Sequence, residues 1–224
     1  MNNLSFHDVV RLRHSCRAFL ANEVPEDIIV SVLEDAQLAP SNCNTQPWEV
    51  HIVSGAMQKQ LSEKLINAYK NNDYSLDFSF DTNDFPGRYK ERQFAQGKAY
   101  YEGLGVIRDD KAGRETANLK NYLFYNAPHV ALLFMPSVGD NVRVAGDIGM
   151  YGQTFLLSLT AHGLAGVPQK VLGMFADVIR EHLGLSNEMK MLFGVSFGYE
   201  DKDAEGNTIL MERDPISSNV IFHK

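Results

Sequence analysis

Pro40-Ser41-Asn42-Cys43-Asn44-Thr45-Gln46-Pro47-Trp48 joins a helical pattern to a strand pattern. Ser41, Asn42, Asn44, Thr45 and Gln46 crowd donors and acceptors into a loop that two prolines stiffen. Polar loops held between regular elements are where ligand contacts concentrate. The same residues could also do no more than satisfy their own backbone, as Asn and Ser do in turns. Upstream, Pro25 suits a first helical turn, and Ile28, Ile29, Val32, Leu33 and Ala36 recur at helical spacing. That helix is predicted to stop before Pro40, because the residue ahead of a proline is pushed out of the helical region. Downstream, residues 49–53 read as a strand ended by Ser54-Gly55.

The alternation continues outward from this junction. Ser5 with Asp8 three residues on marks the start of a short helix over 6–12. Met57, Leu61 and Leu65 line one face of a helix over 56–69. Residues 71–87 are polar and turn-rich, and helix-compatible spacing returns over 89–101 and 111–125. Asp109 and Asp110 suit the start of the second of these helices. Phe85, Tyr89, Phe94, Tyr100, Tyr101, Tyr122, Phe124 and Tyr125 predict an aromatic core for this helical excursion. Residues 130–135 read as a buried strand. Residues 147–162 form an apolar helix through Ile148, Tyr151, Phe155, Leu156 and Leu159. Gly146, Gly149 and Gly152 would leave that helix a smooth face for another helix or subunit, and Gly163 suits its C-terminal cap. A helix over 175–183 closed by Gly184, a strand over 191–197, a charged hairpin-like loop over 200–206 and a strand-like piece at 220–222 follow. Helices outnumber short, separated strands, which implies an α+β fold with a mixed central sheet surrounded by helices. Residues 1–224 are read as one domain with an inserted helical excursion over about 71–125. A Rossmann fold is disfavoured, since Gly103-Leu104-Gly105 neither follows a first strand nor completes the dinucleotide fingerprint.

Composition narrows the function classes. A net charge of -7 with no basic stripe argues against nucleic acid. The longest apolar runs are too short to cross a bilayer, and Met1-Asn2-Asn3-Leu4 lacks the character of a signal peptide. Cys16 and Cys43 make no disulfide framework, so a reducing cytoplasm is the expected home. The seven histidines include no pair at helical i, i+4 spacing, and no metal site is expected.

Against this acidic background, Arg13-His14-Ser15-Cys16-Arg17 brings two guanidiniums and a hydroxyl within one short stretch. Arginine suits bidentate recognition of phosphate. The plainer reading is a helix end with cations near its C-terminus, worth about 0.3–1 kcal/mol each. Taken together, residues 13–17, the loop 40–48, the stretch Gly163-Leu164-Ala165-Gly166-Val167-Pro168-Gln169 and Arg213 near Pro215 resemble the signatures of the FMN-dependent nitroreductase family. The match runs from about residue 6 to the end. Phe85-Pro86, Tyr100-Tyr101 and Arg108-Asp109-Asp110 resemble the insertion of its nitrobenzoate-reductase-like branch.

The resemblance implies a homodimer with FMN at the subunit interface and a C-terminal tail wrapping the partner. It assigns Arg13, Ser15, Arg17 and Arg213 to the phosphate and ribityl chain, with His14 beside them. Pro40, Ser41, Asn42, Asn44 and Gln46 would serve the neighbouring subunit's cofactor. Pro168 and Gln169 would line one face of the isoalloxazine, with a main-chain N–H near Lys170 approaching N5. Lys170-Val171 stands where the better-known branch has an acidic residue and glycine. Arg17 and Lys170 are both candidates for the cation near flavin N1. The chemistry implied is ping-pong: NADH or NADPH gives hydride to the flavin, and a nitroaromatic, quinone or similar acceptor then takes the electrons. No catalytic side chain is required, because the flavin carries the chemistry. The scaffold also hosts dehalogenase-like and flavin-cleaving enzymes, and a non-catalytic flavin-binding or redox-sensing protein is the alternative of a different class. A thiol role for Cys16, activated by Arg17, is the remaining alternative for the cysteines.

Overall fold

The computed structural model describes residues 4–224, and the reading of Met1, Asn2 and Asn3 lies outside them. Seven helices are described: α1 (Phe6–Leu12), α2 (Glu26–Gln37), α3 (Gly55–Asn71), α4 (Gly87–Gly103), α5 (Lys111–Tyr122), α6 (Val142–Ala161) and α7 (Ala176–Leu183). Four strands, β1 (Glu49–Ser54), β2 (His129–Pro136), β3 (Ala165–Gln169) and β4 (Met189–Gly198), form one sheet in the order β1-β2-β4-β3. The α+β class stands. Pairing within the sheet is antiparallel throughout, with Val50 opposite Leu133, Ala131 opposite Val195 and Val167 opposite Ser196. The expected mixed character survives only as isolated parallel bridges, Ser15 to Gly166 and Ser75 to Phe175.

Strand β2 explains why the sheet forms the centre. Its alternate side chains enter two different cores, as the period of two requires. Ala131, Leu133 and Met135 meet Val32, Ala36, Ile148, Phe155 and Leu159 from α2 and α6. Val130, Leu132 and Phe134 meet Leu61, Leu65, Tyr122 and Ile179 on the other side. Each such fully buried aliphatic or aromatic side chain contributes about 1.5–3 kcal/mol. A strand covered on both faces reads as a continuous apolar run, and 130–135 is one.

Several boundaries moved for local reasons. Helix α6 begins at Val142 rather than Asp147, because Asp140 Oδ1 accepts from Val142 N (3.1 Å) and Asn141 turns through φ 66°. Helix α5 starts as read, with Asp110 capping Gly113 N at 2.8 Å. It stops at Tyr122, since Phe124, Tyr125 and Asn126 take φ of 52°, 54° and 63°. The glycines of α6 do not share one face. A Cβ on Gly152 would meet Phe193 Cζ at 2.7 Å, so this glycine lets α6 lie on β4, whereas Gly146 and Gly149 face open space. Tyr100, Tyr122, Phe124 and Tyr125 are core residues, but Phe85, Tyr89 and Phe94 are exposed, so the excursion has half the aromatic core expected. Residues 200–206 lead into a 3-10 turn at Glu205–Asn207 rather than a hairpin, and 220–222 form no strand in the single chain. Val220, Ile221 and Phe222 stand exposed.

The polar stretch after α3 is stapled down. Asp77, 6% exposed, pairs with Arg180 and Lys190 and accepts from Met191 N at 2.8 Å, while Ser75 bridges Phe175. No helix among the described residues is long and apolar enough to cross a membrane.

Candidate active site

The Arg13–Arg17 segment leaves α1 as extended chain along the free edge of β3. Ser5 starts α1 with a reciprocal capping box, Asp8 N donating to Ser5 Oγ at 3.2 Å. Beyond Leu12, Ser15 bridges Gly166 in parallel and Cys16 N donates to Gly166 O at 3.4 Å. The direction of this pairing carries Arg13 toward the Leu164 end of β3 and Arg17 toward the Pro168 end. Alternation separates Cys16, fully buried with Phe19, Ala165 and Val167, from the half-buried Arg13, Ser15 and Arg17. Burial pushes the Cys16 thiol up to about 12, outweighing Arg17, so the activated-thiol reading is corrected: Cys16 is an inert core group.

Each polar residue of the segment has a distinct anchor. His14 Nδ1 lies 2.9 Å from Leu12 O and Nε2 lies 2.8 Å from Glu200 Oε1, tying the segment to the end of β4. Arg17 N donates to Asn207 Oδ1 at 2.6 Å, and Asn207 returns two bonds of 2.8 Å to the carbonyls of Ala18 and Asp201. The Arg17 guanidinium donates to Ser15 O at 3.2 Å and lies 5.2 Å from the Tyr100 ring centroid. Tyr125 is close enough for Arg17 to oppose the burial that pushes its phenol up. Arg13 meets Arg213 from the C-terminal segment: burial first, and then the charge of Arg213, lowers the Arg13 pKa from its ordinary value. Among the described residues, Arg13, Arg17 and Arg213 have no carboxylate partner. Guanidiniums gathered without acids form a site for an anion.

Strand β3 ends in the same neighbourhood. Pro168 and Lys170 are exposed there. Gln169 is 3% exposed, with its amide donating to Asn121 O at 2.8 Å and its Oε1 accepting from Ser196 Oγ. Its side chain is therefore committed to the core, and only its main chain faces the edge.

The loop 40–48 lies apart, held on α6. Asn42 N donates to both carboxylate oxygens of Asp147 at 3.2 Å, and Asp147 is 4% exposed. Ser41 Oγ accepts from Gln46 N at 2.9 Å, and Gln46 Nε2 reaches Asn44 O at 3.3 Å. Trp48 packs 5.0 Å from the Tyr151 ring and donates to Gln37 Oε1 at 3.0 Å, a core role as its position before β1 suggests. Cys43, Asn44 and Gln46 take φ of 51°, 55° and 47°, and Asn42, Asn44 and Gln46 are exposed. Left-handed non-glycine residues cost about 1–3 kcal/mol each and gather at functional loops. No hydrogen bond or ion pair among the described residues links this loop to the arginines.

Sequence reasoning missed Asn207, Asn121, Asp147 and Ser196. Each works through a partner far away in the chain, and no local pattern announces it.

The model of the nitroreductase family matches residues 10–199. The chain belongs to the nitroreductase family. Among curated nitroreductases, NfnB of Mycolicibacterium smegmatis is 41% identical over 216 residues, covering 96% of this chain and 92% of that one. The 4-nitrobenzoate reductase of Pseudomonas putida is 34% identical over 212 residues, covering 93% and 91%. The crystal structure of the FMN-dependent nitroreductase NfnB from Mycobacterium smegmatis in complex with NADPH superposes with a TM-score of 0.94 at 40% identity, covering 97% of each chain. For a nitroreductase, the arginine-lined edge of β3 is the natural place to look for the cofactor.

Proposed function

We propose that this chain is an FMN-dependent oxidoreductase that takes hydride from NAD(P)H and reduces nitroaromatic, quinone or similar electron-poor acceptors in ping-pong order. The observation that carries the reading is the approach of Arg13 and Arg213 at the edge of β3, without an acidic partner, in a chain of net charge -7. Like charges kept together at a half-buried site suit a dianion such as the FMN phosphate. FMN, when bound, supplies the two-electron chemistry.

The chain's own residues supply binding, orientation and electrostatics. Arg13 and Arg213 hold the phosphate, and Ser15 offers its hydroxyl to the ribityl chain. Arg17, toward the Pro168 end, would supply a positive charge beside the ring system and so favour its more negative, reduced form. Pro168 offers an exposed apolar face. Gln169, locked to Asn121 and Ser196, fixes the main chain leading to Lys170, whose N–H would be the donor offered to the reacting edge of the flavin. Arg17 is the better candidate for the ring cation, because its guanidinium is half-buried and held, while Lys170 is exposed.

Ser41, Asn42, Asn44 and Gln46 serve the cofactor of a second copy of the chain, in a homodimer that also covers Phe6, Leu38, Val142, Ile221 and Phe222, all exposed here. Residues 71–125 are an insertion in a single domain. Two free cysteines suit a reducing cytoplasm.

The test is the absorption spectrum of the purified protein under anaerobic NADPH or NADH. The expected result is a yellow protein that bleaches and regains colour when a nitroaromatic is added. Bound FMN that neither nucleotide bleaches would overturn the reductase reading.

A further inference from the structure

Among the described residues, no acid pairs with Arg17. Its guanidinium donates to a neutral carbonyl, Ser15 O, and lies over an aromatic face, Tyr100, with the neutral phenol of Tyr125 nearby. Tyr100 comes from the last turn of α4, inside the excursion, and approaches the site from a part of the chain remote from residues 13–17. Its ring is 9% exposed and its hydroxyl is buried beside the hydroxyl of Tyr125. The contact that Tyr100 makes toward Arg17 is the ring's, and its hydroxyl points to Tyr125 rather than to the guanidinium.

A guanidinium has five N–H donors in one plane. Stacking uses the face of that plane and consumes none of them. A carboxylate would hold Arg17 as firmly but would cancel the charge and occupy the donors. An aromatic face fixes the plane while leaving the rim free, and burial strengthens such a contact.

The geometry points to Tyr100 as a positioning residue: its ring holds the Arg17 guanidinium so that the free donors serve the flavin ring system. This rests on the reading above that Arg17 serves the ring system. The consequence is electrostatic. A cation fixed beside the ring system favours the reduced, more negative cofactor over the oxidised one, so loosening it lowers the reduction potential. The inserted helix α4 thereby takes part in setting the potential of the enzyme.

The experiment measures the two-electron midpoint potential of the holoenzyme by dye-equilibrated anaerobic reduction. The variants are Tyr100→Leu, Tyr100→Met and Tyr100→Phe, with Arg17→Ala as reference. Methionine refills the volume without a π face and keeps the test open if the leucine protein folds poorly. Leu and Met are expected to lose about tenfold of the preference for reduced over oxidised FMN, a fall of about 30 mV. Phe is expected to match the parent, because it keeps the ring. Leu and Met potentials equal to the parent, beside a lowered Arg17→Ala potential, would overturn the role of Tyr100 alone. A fall in Phe as large as in Leu would also overturn it, because the hydroxyl would then be the operative group. An unchanged potential in Arg17→Ala would overturn the assignment of Arg17 to the ring, and this inference with it.

Discussion

Removing Arg213 tests the phosphate assignment most directly. Arg213 is exposed and its Nη1 donates to Met211 O at 2.7 Å, while Arg13 is half-buried and feels its charge. A hydrogen bond to a charged group is worth about 1.5–3 kcal/mol. Solvent screens Arg213, so Arg213→Ala is expected to weaken FMN binding roughly tenfold. Arg13 sits in a less polar place, and Arg13→Ala is expected near the upper end, roughly 150-fold. The assay is quenching of flavin fluorescence on titration with apoprotein, run with FMN and with riboflavin, which lacks the phosphate. The ratio of the two dissociation constants isolates the phosphate contribution. The FMN-to-riboflavin ratio should rise toward one in both variants, and rise less at high salt. Because the two guanidiniums repel each other in the apoprotein, Arg213→Ala should leave apoprotein stability unchanged or slightly raised. An FMN-to-riboflavin ratio that neither substitution alters would refute the phosphate site, and a large loss of apoprotein stability would show that Arg213 is structural.

Three further outcomes follow from the packing. Asp77→Asn leaves the buried Arg180 with the more exposed Asp177 and Met189 O as partners and should cost about 1.5–3 kcal/mol in denaturant unfolding; a loss under about 1 kcal/mol would put the pair in the surface class. His129 accepts from Val24 N at Nε2 (2.9 Å) and lies 2.5 Å from Ser54 Oγ at Nδ1, and burial lowers its pKa against the raising effect of Glu23. The unfolded chain takes up that proton first, so stability is full above about pH 6.5 and falls as the pH drops from there toward the folded value; His129→Gln should flatten that slope, and an unchanged slope would exonerate His129. Cys16 should resist alkylation in the native protein and react fully in denaturant, as mass spectrometry of the labelled peptide would show; native labelling would contradict its burial.

Elements carried by short-range patterns were the legible ones. The apolar spacing of Ile28 to Ala36 marked α2, the Ser5–Asp8 pair marked the start of α1, and the run over 130–135 marked β2. The loop 40–48 and the arginines were visible as unusual local chemistry. What escaped notice depended on contacts across the chain. Asn207 reaches Arg17 over 190 residues, and Gln169 turns inward because Asn121 and Ser196 await it. Strand direction was illegible for the same reason: neighbours in the sheet are not neighbours in the chain, and short strands between helices suit either sense. The break of α5 after Tyr122 rests on three left-handed residues that include Phe124 and Tyr125, types that seldom signal such a turn.

The bond from Arg17 to Asn207 also has a temporal side. Arg13 and Arg17 precede the sheet in the chain, and Asn207 and Arg213, which meet them, follow it, about 190 residues later. The last strand of the sheet, β4, ends at Gly198, so the contacts of Asn207 and Arg213 with Arg17 and Arg13 come from chain made after the sheet's own residues. The proposed flavin site is therefore completed only when residues 207–213 have returned to the start of β3's neighbouring segment, so truncation ahead of residue 207 is expected to abolish flavin capture while leaving the sheet's residues intact.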